Sequence, residues 1–337
     1  MIILTDCLAE KIDEGCLKVA NRLIKRIKSE YPDTTVVSYK QKTGLSDIHL
    51  DLNKLFLNSS LLSLIKEKNQ PLLYIPFASN TTATALRMFV MSRAAKQKMQ
   101  VIFAIRYPMN GFTKFLLKHS GFEVVSLSKE SYDYFHDSIG RAKYLKTGID
   151  TEKFVPIDAE QKALLRQKYD VAPDKKVLLH VGHLKYGRNV DKLLNVGDDY
   201  HVFMIASSVT ENEKDDGLRQ KLKSRPNTTV IESYLPNIQE IYQMSDVYLF
   251  PIVEEHNCID VPLSVLEAAA CDIPIVATKY GELKQFVGKP GFKFIDSFDK
   301  PTLNSAIDEA ADIKNCNTRE AVLEYDWARS VESLMNE

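Results

Sequence analysis

Short apolar runs rich in β-branched residues alternate with amphipathic helical patterns along the chain, and the alternation occurs twice. In the first half the runs are IILTDC, TTVVSY, PLLYIPF, QVIFAIRYP, FEVVSLS and AKYLKTG. Helical stretches such as CLKVANRLIKRIKSEY and NTTATALRMFVMSRAAKQ lie between several of them. Alternation of this kind marks βαβ units and a parallel sheet buried on both faces, because crossover helices cover both sides. The second half repeats the plan with KVLLHVG, YHVFMIAS, TTVIESY, VYLFP, IPIVAT and GFKFID. At 337 residues the chain is also too long for one ordinary core. The expectation is an α/β protein of two Rossmann-like, doubly wound parallel-sheet domains, facing across a cleft at the carboxyl ends of their strands.

The predicted seam lies in TGIDTEKFVPIDAEQ, where polar residues, a glycine and Pro156 interrupt the pattern before a new helix begins. This gives a first domain over 1–155 and a second over 156–321. A helical pattern from about 322 to 337, with the only tryptophan, Trp327, is expected to return and pack on the first domain.

With 45% hydrophobic and 26% charged residues, the composition is that of an ordinary soluble domain. No apolar run reaches the roughly 20 residues needed to span a bilayer. The start, MIILTDCLAEKIDEG, has no basic region of the kind that opens a signal peptide. Cys7, Cys16, Cys258, Cys271 and Cys316 are odd in number and form no C-x-x-C pair. The expectation is reduced thiols in a cytoplasmic protein with no metal site. Net charge is unevenly spread, +8 over residues 1–155 and −9 over the remainder. Lys18, Arg22, Lys25, Arg26 and Lys28 on one helical pattern, and Arg87, Arg93, Lys96 and Lys98 on another, suit an anionic membrane surface. Exposed helices packed on a sheet account for the same pattern. No G-x-G-x-x-G and no P-loop is present, which disfavours a nicotinamide-dinucleotide fold and a P-loop ATPase.

The segment PLSVLEAAACDIPIVATKYGELKQFV reads as a helix with one acid in an apolar face, then a buried strand and a glycine turn. A single buried acid is costly without a partner, so Glu267 is a candidate ligand contact. Asp260 is a candidate N-cap of this helix, and Pro262 suits its first turn. The helix start from Asp260 through Val261, Pro262 and Leu263 to Ser264 would then turn its free N–H groups toward a diphosphate, while Glu267 accepts from ribose hydroxyls. An ordinary capped helix explains the same residues, but a second feature at the same sheet edge favours the ligand. In VGHLKYGRNVDKLL, Gly182 ends a strand and His183, Lys185 and Arg188 place cations before a helix, an arrangement suited to phosphate. In the first half Gly15 precedes a helix, where a glycine permits close approach of a phosphate or makes a plain turn.

These segments resemble the retaining GT-B glycosyltransferases of family 4, the group-1 glycosyltransferases. TGIDTEKFVPI is similar to their interdomain signature, VGHLKYGRNVDKLL to their strand, basic loop and helix, and YLPNIQEIYQMSDVYLFP to their base-contacting segment. The resemblance covers residues 140–330; in residues 1–140 it rests on architecture and the turn at Gly15. It implies that Glu267 is the second acid of the Glu-x7-Glu pair and holds the ribose. By the same resemblance His183 and Arg188 bind the diphosphate, Tyr234 and Leu235 read the base through the backbone, and Gly15 lies over the phosphates. Ile259 stands where the first acid belongs, with Glu254, Glu255 and Asp260 as candidate substitutes. His183 replaces the usual arginine and Asp272 a glycine. Asn80, Arg106 and Tyr107 are acceptor-side candidates by position alone.

The implied activity is metal-independent transfer of a sugar, with retention, from a nucleotide-diphosphate sugar co-substrate to a glycan or lipid-linked acceptor, as in polysaccharide or glycolipid biosynthesis. No other cofactor and no nucleic acid is expected. A catalytically silent GT-B module that binds a glycan or a partner, and a GT-B nucleotide-sugar epimerase, are the competing readings.

Overall fold

The computed structural model describes residues 1–336 apart from 11, 13, 52–58, 208–214 and 255–257. The chain divides into two compact units, one of residues 1–147, 258–261 and 327–337, the other of residues 148–257 and 262–326.

In chain order the first unit contains β1 (Ile2–Thr5), α1 (Gly15–Glu30), β2 (Thr35–Ser38), β3 (Ile48–His49), α2 (Ser59–Lys68) and β4 (Leu72–Ile75). There follow α3 (Thr82–Met91), β5 (Met99–Phe103), α4 (Gly111–His119), β6 (Glu123–Ser126), α5 (Lys129–Ile139) and β7 (Ala142–Tyr144). Its strands form one parallel sheet in the order β3-β2-β1-β4-β5-β6-β7. β1 and β4 are buried along their whole length, as strands covered on both faces must be. α1 lays Cys16, Val19, Ala20, Leu23, Ile24 and Ile27 into the core at helical spacing. Local chemistry sets several helix starts: the side chains of Thr81, Asn110 and Ser128 each accept an amide from the first turn of α3, α4 and α5.

The second unit begins with residues 148–155, eight residues earlier than the seam expected from the sequence. Arg319 ties this stretch in, donating to the carbonyls of Thr151 and Phe154. Then come α6 (Ala159–Lys168), β8 (Lys176–Gly182), β9 (Tyr200–Ala206), α7 (Asp216–Ser224), β10 (Thr228–Ile231), α8 (Gln239–Met244) and β11 (Val247–Phe250). α9 (Leu263–Ala270), β12 (Ile275–Ala277), β13 (Phe292–Phe294), α10 (Lys300–Ala311) and α11 (Thr318–Val322) complete it. The six strands are parallel in the order β10-β9-β8-β11-β12-β13. Gly291, with φ +74°, precedes β13, and a Cβ there would lie 2.7 Å from the Cys316 carbonyl oxygen. No side chain fits that turn.

The last helix, α12 (Trp327–Met335), belongs to the first unit, where Ser330 donates to the Lys146 carbonyl and Lys143 to that of Ser333. All five cysteines are free thiols. Among the described residues no helix is long and apolar enough to cross a membrane.

The first basic pattern lies on α1 and the second is split between α3 and the connection that follows it. Lys28 of α1 pairs with Asp47 at 2.7 Å and Arg26 with Glu30, while Arg93, Lys96 and Lys98 follow α3 in the connection to β5. The exposed mixed face is on α4 instead, where Phe112 and Phe115 are 58% and 52% exposed beside Lys114 and Lys118.

Candidate functional site

In the second unit the chain runs from β8 outward to β9 and β10, then returns to place β11 on the other side of β8. The carboxyl ends of β8 and β11 are therefore a topological switch point, where open parallel sheets bind ligands. Short bonds hold the two ends together: the buried His180 ring bonds through Nδ1 to the Leu249 carbonyl at 2.9 Å, and Asn189 donates to the Pro251 carbonyl at 3.0 Å.

The basic loop leaves this point. His183, Lys185 and Arg188 are all half-buried. The Lys185 amide donates to the His183 carbonyl and the Arg188 amide to the Lys185 carbonyl, each at 3.1 Å, so the imidazole and the two cations ride on one tight turn. Leu184 between them is 1% exposed and anchors the turn in the core. Asn189, at φ +54°, ends it. Among the described residues the Arg188 guanidinium has no ion-pair partner.

α9 follows β11. Glu267 is 3% exposed and accepts a 2.9 Å hydrogen bond from the Tyr242 hydroxyl of α8. That bond lowers the cost of burying the acid. Burial and the adjacent Glu267 charge push the Tyr242 phenol well above its ordinary value, so it stays a donor. Ser264 is the one residue of α9 that is not buried. The amides of Val261, Leu263 and Ser264 donate to no acceptor among the described residues. In the loop before α8 the backbone groups of Tyr234 and Leu235 are likewise not engaged among the described residues, and Tyr234 is 38% exposed. The sequence missed Tyr242; its one signal was a tyrosine on the apolar face of a short helix.

Several assignments are corrected. Asp260 does not cap α9: Pro262 occupies the cap position, with no side-chain hydrogen bond, and as a proline it offers no N–H. Asp260 instead lies within the first unit. Its amide donates to the Ala104 carbonyl at 3.0 Å, and its carboxylate accepts from Ser131 in the first turn of α5, with the Ser128 hydroxyl at 3.5 Å. A helix start attracts a carboxylate, and here the start of α5 holds it through the Ser128 and Ser131 hydroxyls. Ile259, beside it, is 4% exposed and faces α1: a Cβ on Gly15 would lie 2.9 Å from its Cδ1. The glycine expected to lie over phosphates thus opens α1 with an apolar side chain packed on it.

On the acceptor side, Asn80 is 1% exposed, and its amide both donates to the Tyr107 carbonyl and accepts the Tyr107 N–H, at 2.7 and 2.8 Å. It ties the loop after β4 to the loop after β5. Arg106 pairs with Glu130 at 3.0 Å. Burial raises the Tyr107 hydroxyl above its usual range. Glu254 is exposed, and Glu255 lies outside the described residues. Among the described residues no three His, Cys, Asp or Glu side chains are grouped to hold a metal ion.

Burial pushes the Asp260 carboxyl up to about 6, although the Ser131 hydroxyl and the Arg106 cation pull it down. A carboxyl raised in the folded state stabilises the fold below its unfolded value near 4, and that contribution is lost as pH rises through about 6. Asp260→Asn is therefore expected to gain stability relative to wild type between pH 4 and pH 8, by up to about 3 kcal/mol. Denaturant melts of both proteins at the two pH values check this. A gap that does not change with pH would contradict it.

Residues 175–312 match the sequence signature of the glycosyl transferases group 1 family. The D-inositol 3-phosphate glycosyltransferase of Geodermatophilus obscurus is 26% identical over 230 residues, 62% of this chain and 49% of that protein. The chain spans less than half the length of the curated relatives it matches. Among solved structures, a glycosyltransferase from Rickettsia africae superposes with a TM-score of 0.80 at 14% identity, covering 99% of this chain and 96% of that one. Anabaena HepE in complex with UDP and glucose gives a TM-score of 0.75 at 14% identity, covering 99% and 98%. Two parallel-sheet units and these neighbours establish a GT-B fold.

Proposed function

We propose that the protein is a glycosyltransferase that moves a sugar, with retention of anomeric configuration, from a nucleoside-diphosphate sugar to a glycan or lipid-linked acceptor. One observation carries the reading. A cationic turn, unengaged helix-start amides and a buried, oriented carboxylate all belong to the switch point of the unit that matches the group-1 signature. The complex of HepE with UDP and glucose supports a nucleoside-diphosphate donor for a chain of this fold.

Each part has a task suited to its chemistry. Glu267, held by Tyr242, accepts from the ribose hydroxyls. His183, Lys185 and Arg188, with the Leu263 and Ser264 amides, carry the growing charge on the departing diphosphate. The bond from the anomeric carbon to the diphosphate oxygen breaks toward an oxocarbenium-like state, and the acceptor hydroxyl attacks from the same face, giving its proton to the departing diphosphate oxygen. For a lipid-linked acceptor, Phe112 and Phe115 beside Lys114 and Lys118 suit an anionic interface, which would hold the enzyme at the cytoplasmic face of a membrane.

A second reading rests on Ile259. With an isoleucine where the family has its first acid, and with that side chain buried against Gly15, a silent binding module retains the nucleotide site without turnover. Calorimetry with UDP, GDP, ADP and their sugar conjugates tests both. One nucleotide is expected to bind, and Glu267→Ala to weaken it at least about tenfold, or 1.4 kcal/mol. Absence of binding by all of them overturns the donor site. Binding with no turnover across a broad acceptor set favours the silent module.

A further inference from the structure

His180 lies on β8 two residues before Gly182, so both face the same side of the strand. The imidazole is fully buried. Its Nδ1 meets the Leu249 carbonyl oxygen, which only accepts, so the proton sits on Nδ1 and Nε2 carries a lone pair. Burial pushes the ring down to about 4, with Arg188 adding to the effect, and the neutral form holds at physiological pH. Among the described residues Nε2 has no hydrogen-bond partner. An unmatched buried acceptor is a net cost. A leucine or phenylalanine here, continuing Val177, Leu178, Leu179 and Val181, would avoid it.

The surroundings of Nε2 say what offsets that cost. The Cβ that Gly182 lacks would stand 3.2 Å from His180 Nε2 and 3.7 Å from Arg188 Nη1. The two nitrogens thus border one methyl-sized space, one an acceptor and the other a donor. The Gly182 backbone is outside the left-handed region, so its own conformation does not call for glycine.

We propose that His180 is the positioning residue for Arg188. Its Nε2 accepts a hydrogen bond from the guanidinium when Arg188 engages a nucleoside diphosphate, and Gly182 keeps the path between them open. This rests on the donor-site reading above and adds to it the group that aims the cation at the diphosphate. His180 does not touch the ligand, and its effect falls on the diphosphate alone.

The test uses whichever of UDP, GDP and ADP the wild-type protein binds most tightly, together with the matching nucleoside. His180→Phe removes the acceptor, and Gly182→Ala fills the space while keeping both side chains. Each is expected to weaken the diphosphate about tenfold, the scale of a hydrogen bond to a charged group, and to leave the nucleoside within about twofold. The double variant is expected to be no weaker than either single one, because both break one interaction. Equal losses for nucleoside and diphosphate, or no loss in a folded variant, overturn the role of His180. Gly182→Ala carries the test if His180→Phe does not fold. Failure of the wild type to bind any of the three diphosphates overturns the donor-site reading and this proposal together, an outcome distinct from the others.

Discussion

Arg188→Ala is expected to slow release of nucleoside diphosphate from the donor sugar by about 10²- to 10³-fold, the usual loss when one donor to a developing oxyanion is removed. The fold around it predicts that little else changes. The Arg188 amide keeps its bond to the Lys185 carbonyl, and Asn189 keeps its bond to Pro251, so the turn survives without the guanidinium. Leu184 remains buried beneath it. Nucleoside affinity should then stay within about twofold, because in the proposed site ribose and base fall to Glu267 and the Tyr234–Leu235 backbone, and the loss falls on the transition state. Arg188→Lys should recover part of the rate, since it restores charge but not the planar fork. Steady-state kinetics with the donor that wild type turns over give the answer. A fall of less than about tenfold would mean that His183 and Lys185 carry the departing charge without Arg188.

Much of this site was legible in the residues, because its signals are local. A parallel sheet covered on both faces must be written as apolar runs with helices between them, and those runs recover the sheets apart from β3, which at two residues is too short to show. Glu267 stood out because an acid in an apolar helix needs a partner. The partner itself did not. Tyr242 reaches Glu267 across 25 residues of sequence, and no periodicity encodes a contact between two helices. Asp260 shows the opposite failure. Its neighbours spell a cap for α9, yet α5, 129 residues away at Ser131, supplies the hydroxyl that holds it. Asn80, an acceptor-side candidate by position, is also a loop strap, because its amide fits both ends of the Tyr107 backbone. Local patterns identify an element, and only tertiary packing decides which polar groups are left for a ligand.

Asp246→Ala is expected to destabilise the second unit by about 3 kcal/mol, the lower part of the range for breaking a buried ion pair, since its side chain is 20% exposed. α6 makes the effect large. It buries none of its residues fully, and Lys162, Arg166 and Lys168 bond it to Glu240, Met244, Ser245 and Asp246. Lys162 reaches Asp246 at 2.8 Å and Arg166 reaches it at 2.5 Å, and the Val177 amide at the start of β8 donates to it at 2.7 Å. Alanine leaves the Val177 amide without its acceptor and takes the counter-charge from two cations, of which Lys162 keeps the Ser245 carbonyl and Arg166 that of Met244. Burial pushes the Asp246 carboxyl up, but Lys162, Val177 and Arg166 outweigh it and hold the carboxyl below its ordinary value. A depressed carboxyl contributes stability above its unfolded value near 4 and loses it as pH falls through the lower folded value. The gap between wild type and Asp246→Ala should therefore stay constant from pH 8 to about pH 5 and close below about 4, as denaturant midpoints will show. Nucleotide affinity should not follow. Asp246 precedes β11 at its amino end, whereas the cationic turn and α9 lie beyond the carboxyl ends of β8 and β11. A variant that loses stability and nucleotide binding together, at a temperature where it is fully folded, would mean that the two ends of this sheet are coupled.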